Sequence, residues 1–294
     1  MNILLAVDDT PASLLAVEEV AGRPWPHDTS VEVLTVVEQG TLWGMSETLE
    51  AAYRHSSELV DRTLALLGNG GLQARSHMAT GDPKTVIRER AEDTKPDLII
   101  LGSHRVSALT HFFLGNVAAH TIRHVACSVA IVRARMGERH EARKILLATD
   151  GSVYAEAAAR AIAERPWPAR TEVRILSVVE VILPTMHALF EPPFVHSDEV
   201  QKLREEAMAR ALKAVATAEA ILAPSGLIVS ESISVLLDGA KNVILHDAKD
   251  WGADWIFVGS HGRHGAERFL MGSVSEAIAA QAECSVEVVR SRAA

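Results

Sequence analysis

Leu4-Leu5-Ala6-Val7-Asp8-Asp9-Thr10 near the start of the chain and Leu146-Leu147-Ala148-Thr149-Asp150-Gly151-Ser152 near its middle are two versions of one phrase. Each is a short aliphatic run that ends in acidic and small residues, the pattern of a buried strand. Extending the match to Leu4–Glu38 against Leu146–Glu180 gives 16 identities in 35 positions at an offset of 142, including Arg-Pro-Trp-Pro at Arg23 and again at Arg165. Further on, Asp97–Arg133 matches Asp254–Arg290 with 13 identities in 37 positions at an offset of 157. The chain is therefore one unit written twice, with 15 extra residues in the second copy. They are expected in the Pro-containing stretch 181–197, which follows a second strand and reads as a loop or lid. A repeat this long exceeds the ~20–50 residues of solenoid units, so each copy is expected to be a complete domain. The domains are placed at 1–138 and 143–294, with the boundary in the charged stretch Gly137–Arg143.

Within the first copy, strand-like and helix-like segments alternate. Ile3–Val7 is a strand, Pro11–Val20 a helix, Val31–Val37 a β-branched strand, and Glu47–Leu67 a long helix stopped by Gly68–Gly71. A weaker strand at Leu72–Met78 precedes a helix opened by Asp82-Pro83 and reaching Thr94; Leu98–Leu101, Val117–His124 and Val129–Val132 complete a strand, a helix and a last strand. Continuous apolar strands separated by helices predict a parallel sheet covered on both faces, an α/β doubly wound fold. Ligands of such sheets bind beyond the carboxyl ends of the strands. That draws attention to Asp8, Asp150 and the Gly-rich segments after Leu101 and Val258.

Composition narrows the function. The 294 residues carry 29 Lys plus Arg against 38 Asp plus Glu, a net charge of −9 with neutral His and no block of one sign. This balance argues against a sequence-independent grip on nucleic acid. Hydrophobic residues at 48% and charged residues at 23% describe an ordinary folded chain, and 4% aromatics imply aliphatic cores. Cys127 and Cys284, outside any C-x-x-C or Cys/His-rich pattern, suggest neither a disulfide framework nor a structural zinc site. With no apolar run of membrane-spanning length and no basic leader, the expected setting is the cytoplasm.

The second Gly-rich segment carries the chemistry. Gly259-Ser260-His261-Gly262 follows the strand Trp255–Val258, and nine residues later Gly272-Ser273-Val274-Ser275 opens a helix, reading G-x2-G-x9-G-S. Glycines let a backbone approach phosphate oxygens, often at positive φ, and a helix N-terminus presents N–H groups to an anion. Arg263, His264 and Arg268 inside the span could add positive charge. Neither a Walker P-loop nor a G-x-G-x-x-G fingerprint is present.

With these residues the chain resembles the universal stress proteins, in their ATP-binding branch. Asp150 after the first strand, Gly252-Ala253-Asp254 before the fourth, and Gly-Ser-Val-Ser-Glu before the last helix extend the resemblance. Gly81-Asp82-Pro83 and Gly102-Ser103-His104 extend it to the first copy. The resemblance implies five parallel strands per domain, Rossmann-like and akin to the adenine nucleotide alpha hydrolases. It also implies an ATP site with adenosine near Asp150 and Val178 and phosphates near Gly259, Gly262, Arg263, Gly272, Ser273, Val274 and Ser275, Mg2+ accompanying the nucleotide. The two domains would form an intramolecular pseudo-dimer through Val129–Val132 and Val286–Val289; whether two chains then form a homodimer is left open.

The first copy departs from the signature. Gly102 and Gly115 remain, but Arg105 stands where Gly262 does and Asn116 where Ser273 does, so its site is expected to be weakened although Asp8 and Val36 are retained. Plainer readings compete. Asp8 and Asp150 could merely cap the following helices. Trp25 and Trp167 read as packing anchors, the cysteines as small buried hydrophobes, and the i,i+4 pair His120 and His124 as helix-surface polarity in preference to a metal pair. His104 and His261 could touch phosphate or the loop backbone. Three functions follow: a nucleotide-dependent stress-response protein without fast turnover, which is preferred; a slow ATPase or phosphoryl-transfer enzyme; and an interaction module whose glycines only shape a turn.

Overall fold

The computed structural model describes residues 1–38, 46–103, 114–134, 142–179, 197–235, 239–262 and 271–291. In the first copy, β1 (Asn2–Val7), α1 (Pro11–Gly22), β2 (Ser30–Val37), α2 (Ser46–Asn69), β3 (Gln73–Thr80), α3 (Pro83–Thr94), β4 (Leu98–Gly102), α4 (Asn116–His124) and β5 (Ser128–Val132) follow one another. The second repeats the order with β6 (Lys144–Ala148), α5 (Val153–Ala163), β7 (Glu172–Val179), α6 (Ser197–Leu222), β8 (Ile228–Val235), α7 (Ala240–Trp251), β9 (Trp255–Gly259), α8 (Ser273–Gln281) and β10 (Ser285–Val289). Aliphatic residues alternate to both faces of each strand, so two apolar layers form, one under each set of helices.

All ten strands belong to one sheet, ordered β3-β2-β1-β4-β5-β10-β9-β6-β7-β8. Pairing is parallel within each copy and antiparallel where β5 meets β10. The last strands thus satisfy each other's edges, as the resemblance implied. Registers repeat between copies: Ser30 pairs with Gln73, and the equivalent Glu172 with Ile228. This register divides the insertion. Thirteen of the fifteen extra residues fall between β7 and the middle of α6, and two fall between β8 and α7. The stretch 181–196 itself lies outside the described residues.

Arginines tie the copies together reciprocally. Arg133, just after β5, donates to the carbonyls of Ala279 and Cys284 (3.2 Å) at the end of α8, and Arg290, just after β10, donates to the carbonyl of Ile122 (2.6 Å) at the end of α4. A cation at a helix C-terminus meets the negative end of the dipole. At the centre, Glu287 is fully buried opposite Ala130 and accepts from Arg165 at 2.7 Å. Arg23 of the first copy lies 3.7 Å from the Trp167 ring and 4.5 Å from the Trp25 ring. Burial and the neighbouring Arg165 push its guanidinium down, while Glu287 and Glu19 pull it up. The repeated Trp residues close their turns identically: Trp25 donates to the carbonyl of Val20 (2.8 Å), Trp167 to that of Ile162 (2.9 Å). Burial pushes the Cys284 thiol up to about 12, which leaves it protonated and unreactive at neutral pH.

Candidate functional site

A cavity of about 580 Å³ opens at the carboxyl ends of β6, β7 and β9. Its lining includes Asp150, Val178, Gly259, Gly262, Gly272, Ser273, Val274 and Ser275, eight residues separated by up to 125 positions in sequence. They converge because parallel strands deliver every following loop to the same sheet edge. Arg263, His264 and Arg268 lie outside the described residues, as do His104 and Arg105 of the first copy.

The glycines stand here for reasons that partly differ from those expected. A Cβ on Gly259 would lie 2.6 Å from the Tyr154 carbonyl carbon and 2.8 Å from the Ala155 nitrogen. Gly102 is tighter still, its Cβ falling 2.2 Å from the Ala12 carbonyl oxygen. The requirement is that strand and helix backbones touch, and it holds equally in the copy that lacks the full signature. None of Gly259, Gly262 and Gly272 takes a positive φ; beside the site, Gly151 (φ 76°) and Gly239 (φ 71°) do. Gly262 and Gly272 abut candidate ligand-binding side chains, their missing Cβ atoms facing Asp150 Oδ2 at 3.0 Å and Ser275 Oγ at 3.3 Å.

Asp8 and Asp150 are not the helix caps. Thr10 caps α1 by accepting from the Ser13 N–H, and Ser152 caps α5 by accepting from the Ala155 N–H. Asp150 Oδ1 instead accepts from the Ser152 N–H at 3.0 Å, and Asp8 Oδ1 from the N–H and hydroxyl of Thr10 at 3.1 and 2.5 Å. The carboxylates thus brace the turn before the cap. Asp8 is exposed, whereas Asp150 is half-buried at the cavity.

The N-terminus of α8 carries no side-chain cap, because its N-cap is Gly272; α4 likewise starts from Gly115. First-turn N–H groups have no intrahelical partner and suit an anion. Ser273 is exposed on that turn, but the Ser275 hydroxyl is taken up by the carbonyls of Ser260 (3.0 Å) and Gly272 (2.8 Å), fixing the loop to the helix. His261 is buried, with Nδ1 3.0 Å from the Ser260 hydroxyl and its ring 4.9 Å from that of Tyr154, and its Nε2 has no hydrogen-bond partner among the described residues.

Arg210 of α6 also lines the cavity, and the sequence reading missed it. No motif marks it; only the packing of α6 beside β7 brings it there. Elsewhere, His120 and His124 stack at 4.0 Å, burial and the adjacent His124 lower the His120 ring below its ordinary range, and no cluster of three metal-ligating side chains occurs among the described residues.

A family model described as the universal stress protein family matches residues 1–133 and 141–290. The chain belongs to the universal stress protein family. A putative universal stress protein of Staphylococcus aureus (strain USA300) is 27% identical over 139 residues, covering 45% of this chain and 83% of the relative. Two solved structures share the tandem fold. A universal stress protein from Archaeoglobus fulgidus DSM 4304 superposes with a TM-score of 0.68 at 19% identity over 98% of both chains. A putative universal stress protein from Pseudomonas aeruginosa UCBPP-PA14 gives 0.63 at 19% identity over 98% of this chain and 92% of the other. No helix among the described residues is long and apolar enough to cross a membrane.

Proposed function

We propose that this universal stress protein binds an adenine nucleotide, ATP with Mg2+ in the first instance, in its second domain. The observation that carries the reading is the convergence of Asp150, Val178, Gly259, Gly262 and the α8 N-terminus on one cavity of about 580 Å³. That volume lies within the ~300–1,000 Å³ usual for small-molecule sites. The donor set fits the ligand. Val178 and Ile244 offer apolar walls to a base, Asp150 offers a carboxylate to the nucleoside, and the uncapped first turn of α8 offers N–H groups to phosphate. A bound nucleotide would supply a conformational signal to partners, and no catalytic step is assigned. Among the described lining residues the ionisable groups are Asp150, Arg210 and His261, and two of these are already engaged, Asp150 Oδ1 by Ser152 and His261 Nδ1 by Ser260.

The reading takes domains at 1–138 and 143–294, a cytoplasmic setting, and a first domain whose site is degenerate. Isothermal titration of the full chain with ATP and Mg2+ tests it. A stoichiometry near one, lost in Asp150→Ala, is expected. A stoichiometry near two would overturn the asymmetry, and no binding by nucleotide-free protein would leave the interaction module as the better account.

A further inference from the structure

We propose that Arg210 sets the preference of the second-domain site for phosphorylated over unphosphorylated nucleosides; the inference rests on the reading that this site holds an adenine nucleotide. Arg210 contributes the only fixed positive charge among the described lining residues, and Asp150 the only carboxylate. The chain as a whole carries −9 and repels polyphosphate, so a local cation at the mouth has a field to offset. The guanidinium is weakly held. Among the described residues its ion-pair partner is Glu206, one turn back at 3.9 Å, with the two side chains 52% and 51% exposed. Such a pair contributes little and gives way readily to a phosphate, which a guanidinium can bind bidentately.

The first copy fills the same place differently. Matching β3 to β8, and the buried Val60 and Leu67 of α2 to Val215 and Leu222 of α6, sets His55 opposite Arg210. Asp9 stands opposite Gly151. His55 Nε2 lies 3.5 Å from Asp9 Oδ2, so that copy's own loop carboxylate engages the α2 side chain. In the second copy Gly151 has no side chain to compete, and Arg210 stays at the cavity.

The test titrates adenosine, AMP, ADP and ATP into the full-length protein, wild type and with Arg210→Met, Arg210→Lys and Arg210→His. Arg210→Met is expected to weaken ATP and ADP about tenfold, the order of one charge-assisted contact, with adenosine affinity unchanged. Arg210→Lys should retain most of the affinity, and Arg210→His, an uncharged side chain at pH 8, should lose about as much as Arg210→Met. Since Arg210 is exposed, the urea midpoint of each variant should match wild type. Equal losses for adenosine and ATP, or no loss for either, would overturn the role of Arg210 while leaving the nucleotide site standing. Failure of the wild type to bind any of the four would overturn the nucleotide reading itself, and this inference with it.

Discussion

In the first copy Glu32 on β2 is gripped by Arg90 on α3 at 2.5 Å; at the equivalent place in the second, Arg174 on β7 meets Asp247 on α7 at 3.2 Å, the same bridge with its charges exchanged. Gly102 and Gly259, by contrast, are unchanged, because each is pressed against a helix backbone that has no smaller alternative. The difference separates two kinds of constraint. A side-chain pair can be rewritten provided both members change, whereas a backbone contact admits one residue. The proposed functional asymmetry belongs to a third class: Arg105 and Asp9 stand in the first copy where Gly262 and Gly151 stand in the second, changes of residue at the expected ligand edge.

The largest expected effect tests the junction, where Glu287 of the second copy stands opposite Ala130 of the first. Glu287→Ala leaves Arg165 and Arg23 without their buried counter-ion, and urea denaturation should show a loss of about 3–5 kcal/mol. A loss under ~1 kcal/mol would mean that water or rearrangement solvates the pair. Next come Gly102→Ala and Gly259→Ala, each expected to cost roughly 2–3 kcal/mol as β4 or β9 is forced away from its helix. If only the second-copy variant were affected, the shared packing explanation would fail. Gly262→Arg, which copies the first repeat, should leave stability near wild type because the residue is exposed, yet reduce ATP affinity at least tenfold, about 1.4 kcal/mol. Retained affinity would show that Arg105 is no reason for the first site to be silent.

The smallest effect concerns acid. The hydrogen bond from Arg90 holds Glu32 below its ordinary 4.5, against the opposing effect of burial, and Arg75 adds to the lowering. A carboxylate with a depressed folded pKa contributes its stability in full above the unfolded value and loses it as pH falls through the folded one. Glu32→Gln should therefore cost about 1 kcal/mol near neutrality and lose less between pH 5 and pH 3 than wild type does. Parallel slopes in the two proteins would remove Glu32 from the acid response.

Legibility differed by element. The strands were readable because a doubly wound sheet buries both faces, so Leu98–Leu101 or Val129–Val132 can be little else. The insertion was only partly readable. A loop between well-matched segments announces its length, but the register of β8 was needed to show that two of the extra residues precede α7. Asp150, expected to contact a nucleoside, lies at the cavity, and the capping alternative weighed for it belongs to Ser152 two positions later. Position relative to a strand end is visible in a sequence; which oxygen reaches which N–H is not.

The sequence by itself determined that there are two copies, that each alternates strand and helix, and that one carries G-x2-G-x9-G-S, because repetition, periodicity and spacing are properties of a string. Only the tertiary structure decided that β5 and β10 fuse the copies into one sheet, that Arg133 and Arg290 cap each other's last helices, and that Arg210 stands at the cavity. These depend on helix rotation, strand register and side-chain reach between segments as far as 168 positions apart, and no local pattern encodes them.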